Sequence, residues 1–106
     1  MKAVRAKAGP RLCLLGNVDS SHTLVHGSRE RIVYETLETI RDGGLGGALI
    51  LASDSDIRNE MPYENVDLMF KTALRYGSYP IDRGAIDAEM ERCRARLLQR
   101  RDGEGR

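Results

Sequence analysis

Residues 47–66, GALILASDSDIRNEMPYENV, constrain this chain more than any other stretch. Gly47-Ala48-Leu49-Ile50-Leu51-Ala52 is an unbroken apolar run, which suits a strand covered on both faces, as in a parallel sheet. Polar Ser53-Asp54-Ser55-Asp56 follows at its carboxyl end, and Pro62 then opens an amphipathic helix, where its missing N–H costs little. A second copy of the layout precedes it. Arg11–Val18 is read as a strand with the apolar run Leu12-Cys13-Leu14-Leu15, broken by Gly16-Asn17 and followed by the polar loop Asp19-Ser20-Ser21-His22. Between the strands, Ser28 is placed to cap a helix over Arg29–Asp42. Val33, Leu37 and Ile40, with Ile32, form its apolar stripe, and Glu30, Arg31, Glu35 and Glu38 its charged face. A strand–helix–strand unit of this kind predicts parallel strands and a right-handed connection.

The flanks add helices. MKAVRAKA reads as the end of a helix, with basic Lys2, Arg5 and Lys7 suited to a C-terminus and Gly9 just beyond it. No capping residue precedes that helix, so truncation of a longer chain is expected. A third helix runs from Pro62 to Tyr76 with Val66, Met69, Phe70, Ala73 and Leu74 on one face, and Gly77 closes it. A last helix, from Asp82 to about Arg100, carries Ile86, Met90, Cys93 and Leu97 at helical spacing. Two parallel strands do not complete a domain, because each needs neighbours and helices on both faces. The chain therefore pairs with copies of itself or with a partner chain, or it belongs to a larger α/β protein.

Charge and composition narrow the function classes. The formal net charge of +1 gives no bulk electrostatic case for nucleic acid or an anionic membrane. The arginine-rich end of the last helix has acidic neighbours Glu89 and Glu91 and reads as a solvated amphipathic face. No apolar run approaches the roughly 20 residues of a membrane span, and the basic N-terminus lacks an apolar signal region, so a cytoplasmic protein is expected. Cys13 and Cys93 are the cysteines present, with no CxxC or Cys/His cluster, so neither disulfide framework nor structural zinc is indicated, and both read as small buried hydrophobes. His22 and His26, without a third ligand, are a weak metal signal. Gly43-Gly44-Leu45-Gly46-Gly47 precedes a strand, not a helix, and reads as a flexible connection instead of a phosphate loop.

In parallel α/β folds, ligands gather beyond the carboxyl ends of strands. Asn17 and Asp19 at the end of the first strand, and Asp54, Ser55 and Asp56 after the second, are therefore the substrate-binding candidates. Their alternative reading is a solvated loop in which aspartates cap local turns.

Taken in order, Gly16-Asn17-Val18-Asp19, Leu24-x-His26-Gly27-Ser28, Gly47–Ala52, Met61-Pro62-Tyr63-Glu64-Asn65-Val66 and Tyr76-Gly77-Ser78-Tyr79-Pro80 resemble the C-terminal part of the uroporphyrinogen decarboxylase superfamily. That superfamily includes the methylcobamide:coenzyme M methyltransferases. The resemblance covers about residues 4–80 and implies the C-terminal βαβα portion of a TIM (β/α)8 barrel, with Arg11–Val18 as strand seven and Gly47–Ala52 as strand eight. It divides the chain into a partial barrel over 1–80 and a basic amphipathic helix with a frayed tail over 81–106.

Two chemistries are implied. The decarboxylases remove carbon dioxide from porphyrinogen acetate side chains without a cofactor, using an aspartate and arginines from the N-terminal part of the barrel, a region this chain lacks. The methyltransferases act on methyl donors with corrinoid partners and hold zinc partly through a cysteine after strand eight. Ser55 falls where that cysteine, or a decarboxylase histidine, would stand, and a serine hydroxyl replaces either poorly. A tetrapyrrole-like substrate is thus the first expectation and a methyl donor the alternative, with no metal or cofactor assigned.

Overall fold

The computed structural model describes all residues except Ser55, Asp56, Arg58, Asn59 and residues 104–106. The elements are α1 (Lys2–Ala8), β1 (Leu14–Val18), α2 (Thr23–His26), α3 (Arg29–Gly44), β2 (Leu49–Ser53), α4 (Tyr63–Tyr76) and α5 (Arg83–Gly103). Among the described residues β1 and β2 form a two-stranded parallel sheet, with Leu14 opposite Leu49 and Val18 opposite Ser53. The chain is thus mixed α/β, with α3 as the crossover between its strands.

Local chemistry sets most of the boundaries. Ser28 adopts an extended conformation and its Oγ accepts the Arg31 N–H at 3.2 Å, which satisfies one of the unpaired donors at the start of α3. Gly9, at φ 81°, ends α1 in a region that β-carbons disfavour. Gly77 ends α4, its N–H donating to the Ala73 carbonyl at 2.8 Å. Pro62 caps α4 from outside, in place of the first helical position expected for it.

Both strands are shorter at the front than the apolar runs suggest. Leu12 and Cys13 precede β1 and are exposed. The reading of Cys13 as buried is therefore incorrect, whereas Cys93 is buried. α3 also runs two residues past Asp42: Gly43 and Gly44 belong to its last turn. A β-carbon on Gly43 would stand 2.9 Å from Met1 Cγ and 3.0 Å from Leu49 Cδ1, so the missing side chain lets α1 and β2 approach.

The helices cover one face of the sheet. Val18 joins Leu24, Ile32, Met61 and Met69 in one buried cluster; Leu37, Ile40, Ile86 and Met90 form a second, and Leu51 packs against both. Burial of each such side chain contributes about 1.5–3 kcal/mol. α5 lies along α3 through Ile86 and Met90, assisted by the Arg41–Asp87 ion pair at 3.6 Å. Among the described residues nothing covers the other face of the sheet. Leu15 is 67% exposed and its cross-strand neighbour Ile50 is 54% exposed. Coverage on both faces, expected from the apolar runs, is therefore supplied on one face alone. On α4, Phe70 and Leu74 also point outward, Leu74 with 79% exposure, whereas Met69 and Thr72 are buried. The buried stripe of α4 is rotated from the face that apolar spacing indicated.

Two groups of hydrogen bonds fix the strand ends. At the leading end, the Arg5 guanidinium donates to the carbonyls of Gly9 (2.9 Å), Leu12 (2.6 Å), Gly43 (2.8 Å) and Ala48 (2.8 Å). One side chain thus joins α1, the approaches to both strands and the end of α3. Ala48 sits at φ 61°, a left-handed conformation costing about 1–2 kcal/mol for a residue with a β-carbon. Its carbonyl accepts both Arg5 and the Leu14 N–H, the latter at 2.8 Å, so two hydrogen bonds hold the strained residue in place.

Candidate strand-end site

The carboxyl ends of β1 and β2 are tied to each other by their own loops. Asp54 donates its N–H to the Val18 carbonyl at 2.9 Å, extending the ladder by one step. Its Oδ1 accepts the Ser20 N–H at 3.0 Å. The loops that follow the two strands therefore share a bond across the strand pair, and Asp54 lies at its centre.

Asp19 folds back on its own loop. Oδ1 accepts the Ser21 and His22 N–H groups at 2.9 and 3.2 Å, Oδ2 lies 3.3 Å from His22 Nδ1, and the Asp19 carbonyl accepts the Leu24 N–H at 3.0 Å. Chiefly because of the His22 N–H, with the Ser21 N–H also contributing, the Asp19 carboxyl is held below its ordinary value of 3.8. It is a carboxylate already supplied with donors.

Asn17 is exposed on β1, and its Oδ1 lies 3.5 Å from the Thr39 hydroxyl on α3, which also donates to the Glu35 carbonyl at 3.0 Å. Asn17 and Asp19 line a cleft of about 350 Å³ with Arg31, Tyr34, Glu35 and Glu38. The strand ends thus bring together Asn17, Asp19 and Asp54. Ser55 and Asp56 lie outside the described residues. His22 closes the Asp19 turn and His26 ends α2, exposed. Among the described residues no group of three or more His, Cys, Asp and Glu side chains is arranged to hold a metal ion, and no helix is long and apolar enough to cross a membrane.

One participant was hidden in the sequence. Glu35 reads as part of the solvated face of α3, yet its side chain is 16% exposed. Oε1 accepts the Asp19 N–H at 2.8 Å and Oε2 the Thr23 hydroxyl at 2.6 Å, with Arg31 Nε 3.4 Å away. Spacing along the helix puts Glu35 beside Val33 and Tyr34 and says nothing of a loop sixteen residues upstream. A buried N–H at a strand end, with no ladder partner, was the one signal that could have asked for an acceptor.

A second cleft, about 570 Å³, lies among α3, α4 and α5, lined by Arg29, Tyr63, Lys71, Arg75, Tyr76 and Cys93 among others. Its volume exceeds that of the strand-end cleft, and its lining mixes acidic and basic side chains, two of which pair. Lys71 is 2.8 Å from Asp67, and the lining residue Glu89 pairs with Arg92 at 2.6 Å. Burial, then the nearby Glu89 carboxylate, pushes the Cys93 thiol up to about 11, which disfavours its thiolate at neutral pH.

Comparison with known proteins identifies the architecture's relatives. The profile of the uroporphyrinogen decarboxylase (URO-D) family matches residues 1–76. A curated uroporphyrinogen decarboxylase from Trichodesmium erythraeum (strain IMS101) is 39% identical over 74 residues, which is 70% of this chain and 20% of that protein. The chain therefore spans about a fifth of the length of that relative. No solved structure matches it.

Proposed function

The chain belongs to the uroporphyrinogen decarboxylase family, and from that premise we propose that it is the C-terminal βαβα portion of a (β/α)8 barrel enzyme that decarboxylates a porphyrinogen. The observation that carries the reading is the sheet. Its parallel strands β1 and β2 are covered by helices on one side and leave Leu15 and Ile50 open on the other. Closing such a sheet into a barrel would bury that face, since inward and outward residues alternate along barrel strands. The strand-end residues suit the proposed substrate class. A porphyrinogen offers pyrrole N–H donors and carboxylate acceptors. Asp54 can receive the former, and the Asn17 carboxamide, with one donor and one acceptor group, can meet either.

On this reading the 106-residue chain does not turn over alone, because the acid and arginines of the decarboxylases come from the other part of the barrel. The missing strands come from a longer polypeptide, a partner chain or further copies. The test pairs two assays: the purified chain with uroporphyrinogen, and the same chain mixed with a family member truncated before its seventh strand. The expected result is no carbon dioxide release from the first and both assembly and release from the second. Turnover by the chain alone, or failure of the two pieces to associate, would overturn the proposal.

A further inference from the structure

α3 and the end of β1 are matched like two rulers. Along β1, Asn17 and Asp19 are two residues apart, a rise of roughly 6.6 Å. Along α3, Glu35 and Thr39 are four apart, a rise of about 6 Å. The two pairs lie in reverse order: Glu35 takes the Asp19 N–H at 2.8 Å, and Thr39, whose hydroxyl donates to the Glu35 carbonyl at 3.0 Å, stands 3.5 Å from Asn17 Oδ1. The second Glu35 oxygen holds the Thr23 hydroxyl at 2.6 Å, at the start of α2. One carboxylate thereby grips the loop 19–22 at both ends.

We propose that Glu35 is the positioning residue of the strand-end site: by fixing the Asp19 peptide and Thr23, it sets the turn that supplies donors to the Asp19 carboxylate and holds that carboxylate at the strand end. The inference rests on the reading of that rim as the substrate side, but its test uses no turnover, so the two can fail separately.

The direction in which Asp19 titrates is the readout. The charged groups around it are His22 on its own loop, Asp54 on the loop after β2, which takes the neighbouring Ser20 N–H, and Arg31, Glu35 and Glu38 on α3. Removing the Glu35 charge would by itself lower the Asp19 midpoint, because a like charge disfavours ionisation. Losing the turn would raise it, because the Ser21 and His22 N–H groups would no longer be held against the carboxylate. The two effects have opposite signs.

The experiment is an NMR titration of the Asp19 carboxyl in the full chain, together with exchange of the Asp19 amide. Glu35→Ala should move the midpoint up toward 3.8 and speed exchange of the Asp19 amide by about tenfold, the factor that loss of ~1.4 kcal/mol gives. Glu35→Gln, which keeps an acceptor oxygen for the Asp19 N–H while its amide faces a Thr23 hydroxyl free to rotate, should not raise it. Thr23→Val, which keeps the branched shape and removes the hydroxyl from Glu35 Oε2, should raise it by less than Glu35→Ala. Met90→Ala, in the second buried cluster, lowers stability without touching the loop and should leave Asp19 where it is. A midpoint that falls or stays fixed in Glu35→Ala and Thr23→Val, or that rises equally in Met90→Ala, would overturn the proposal.

Discussion

The two ends of the β1–β2 pair are organised by single charged side chains of opposite sign. At the leading end Arg5 gathers four backbone carbonyls; at the trailing end Glu35 gathers one backbone N–H and one hydroxyl. The signs follow from what each end exposes. Gly9, Leu12, Gly43 and Ala48 present acceptors that the ladder does not use, whereas the turn after β1 presents donors. The leading end is thus closed, with every gathered group belonging to the scaffold. At the trailing end Glu35 gathers two groups against the four of Arg5, while Asp19 and Asp54 hold the rest of the loops, and Asn17 and Asp54 stay exposed. On the proposed reading the trailing end is the substrate rim, and its exposed Asn17 and Asp54 are the polar groups left toward solvent.

The largest expected effect comes from emptying the leading end. Arg5→Met keeps the aliphatic stem and removes the donors, and should lower stability by about 2–3 kcal/mol, measured by urea denaturation. Exchange of the Leu14 amide, bonded to the same Ala48 carbonyl, should accelerate with it. Glu35→Ala should cost less, about 1–2 kcal/mol. If it costs more than Arg5→Met, ranking the ends by the groups they gather is wrong.

pH separates the ends further. The folded Asp19 carboxyl titrates below 3.8, so its contribution is present above that value and is lost as the pH falls through the folded midpoint. Guanidinium groups remain charged throughout, so acid should loosen the trailing end first. Acid unfolding of Asp19→Asn should show a shallower loss below pH 3.8 than the parent chain. In alkali the helical layer responds instead. The Cys93 thiol is raised from 9.0 to about 11, so its burial stabilises fully below 9.0 and the contribution is lost as the pH rises through 11; Cys93→Ala should remove that loss. At neutral pH a thiol reagent should label exposed Cys13 promptly and Cys93, 3% exposed, after unfolding. The smallest effect belongs to the exposed Lys71–Asp67 pair: Lys71→Ala should leave the denaturation midpoint unchanged within error.

What could be read in advance was local. Ser28, Gly9 and Gly77 mark helix ends by short-range chemistry, and each sits where expected. The parallel pairing follows from one helix lying between two apolar runs. The strand-end position of Asn17, Asp19 and Asp54 is a consequence of topology and was legible for the same reason. Arg5 and Glu35 were not. Their partners lie as far away as Ala48 and Asp19, and a charged side chain that reaches such a partner has the same spacing as one facing water. Phe70 and Leu74 misled for a related reason. Periodicity reports that a helix has an apolar stripe, while the neighbour that covers it is chosen by the rest of the fold, and here Met69 and Thr72 face inward. The apolar run that holds Cys13 reads as wholly buried strand, whereas β1 begins one residue later and alternates between buried and exposed positions, with Cys13 left exposed.

The register of the sheet has a kinetic consequence. Leu14 faces Leu49 and Val18 faces Ser53, an offset that encloses all of α3. No hairpin can form these pairs early, and bringing the strands together as a free coil would carry the entropy of closing a long loop. A formed α3 shortens that loop and supplies Ile32 and Leu37 as the surfaces on which the strands land. Truncations at Ile32 should therefore slow refolding, whereas Arg5→Met, acting on a clamp that closes after the strands are in place, should appear in the unfolding rate.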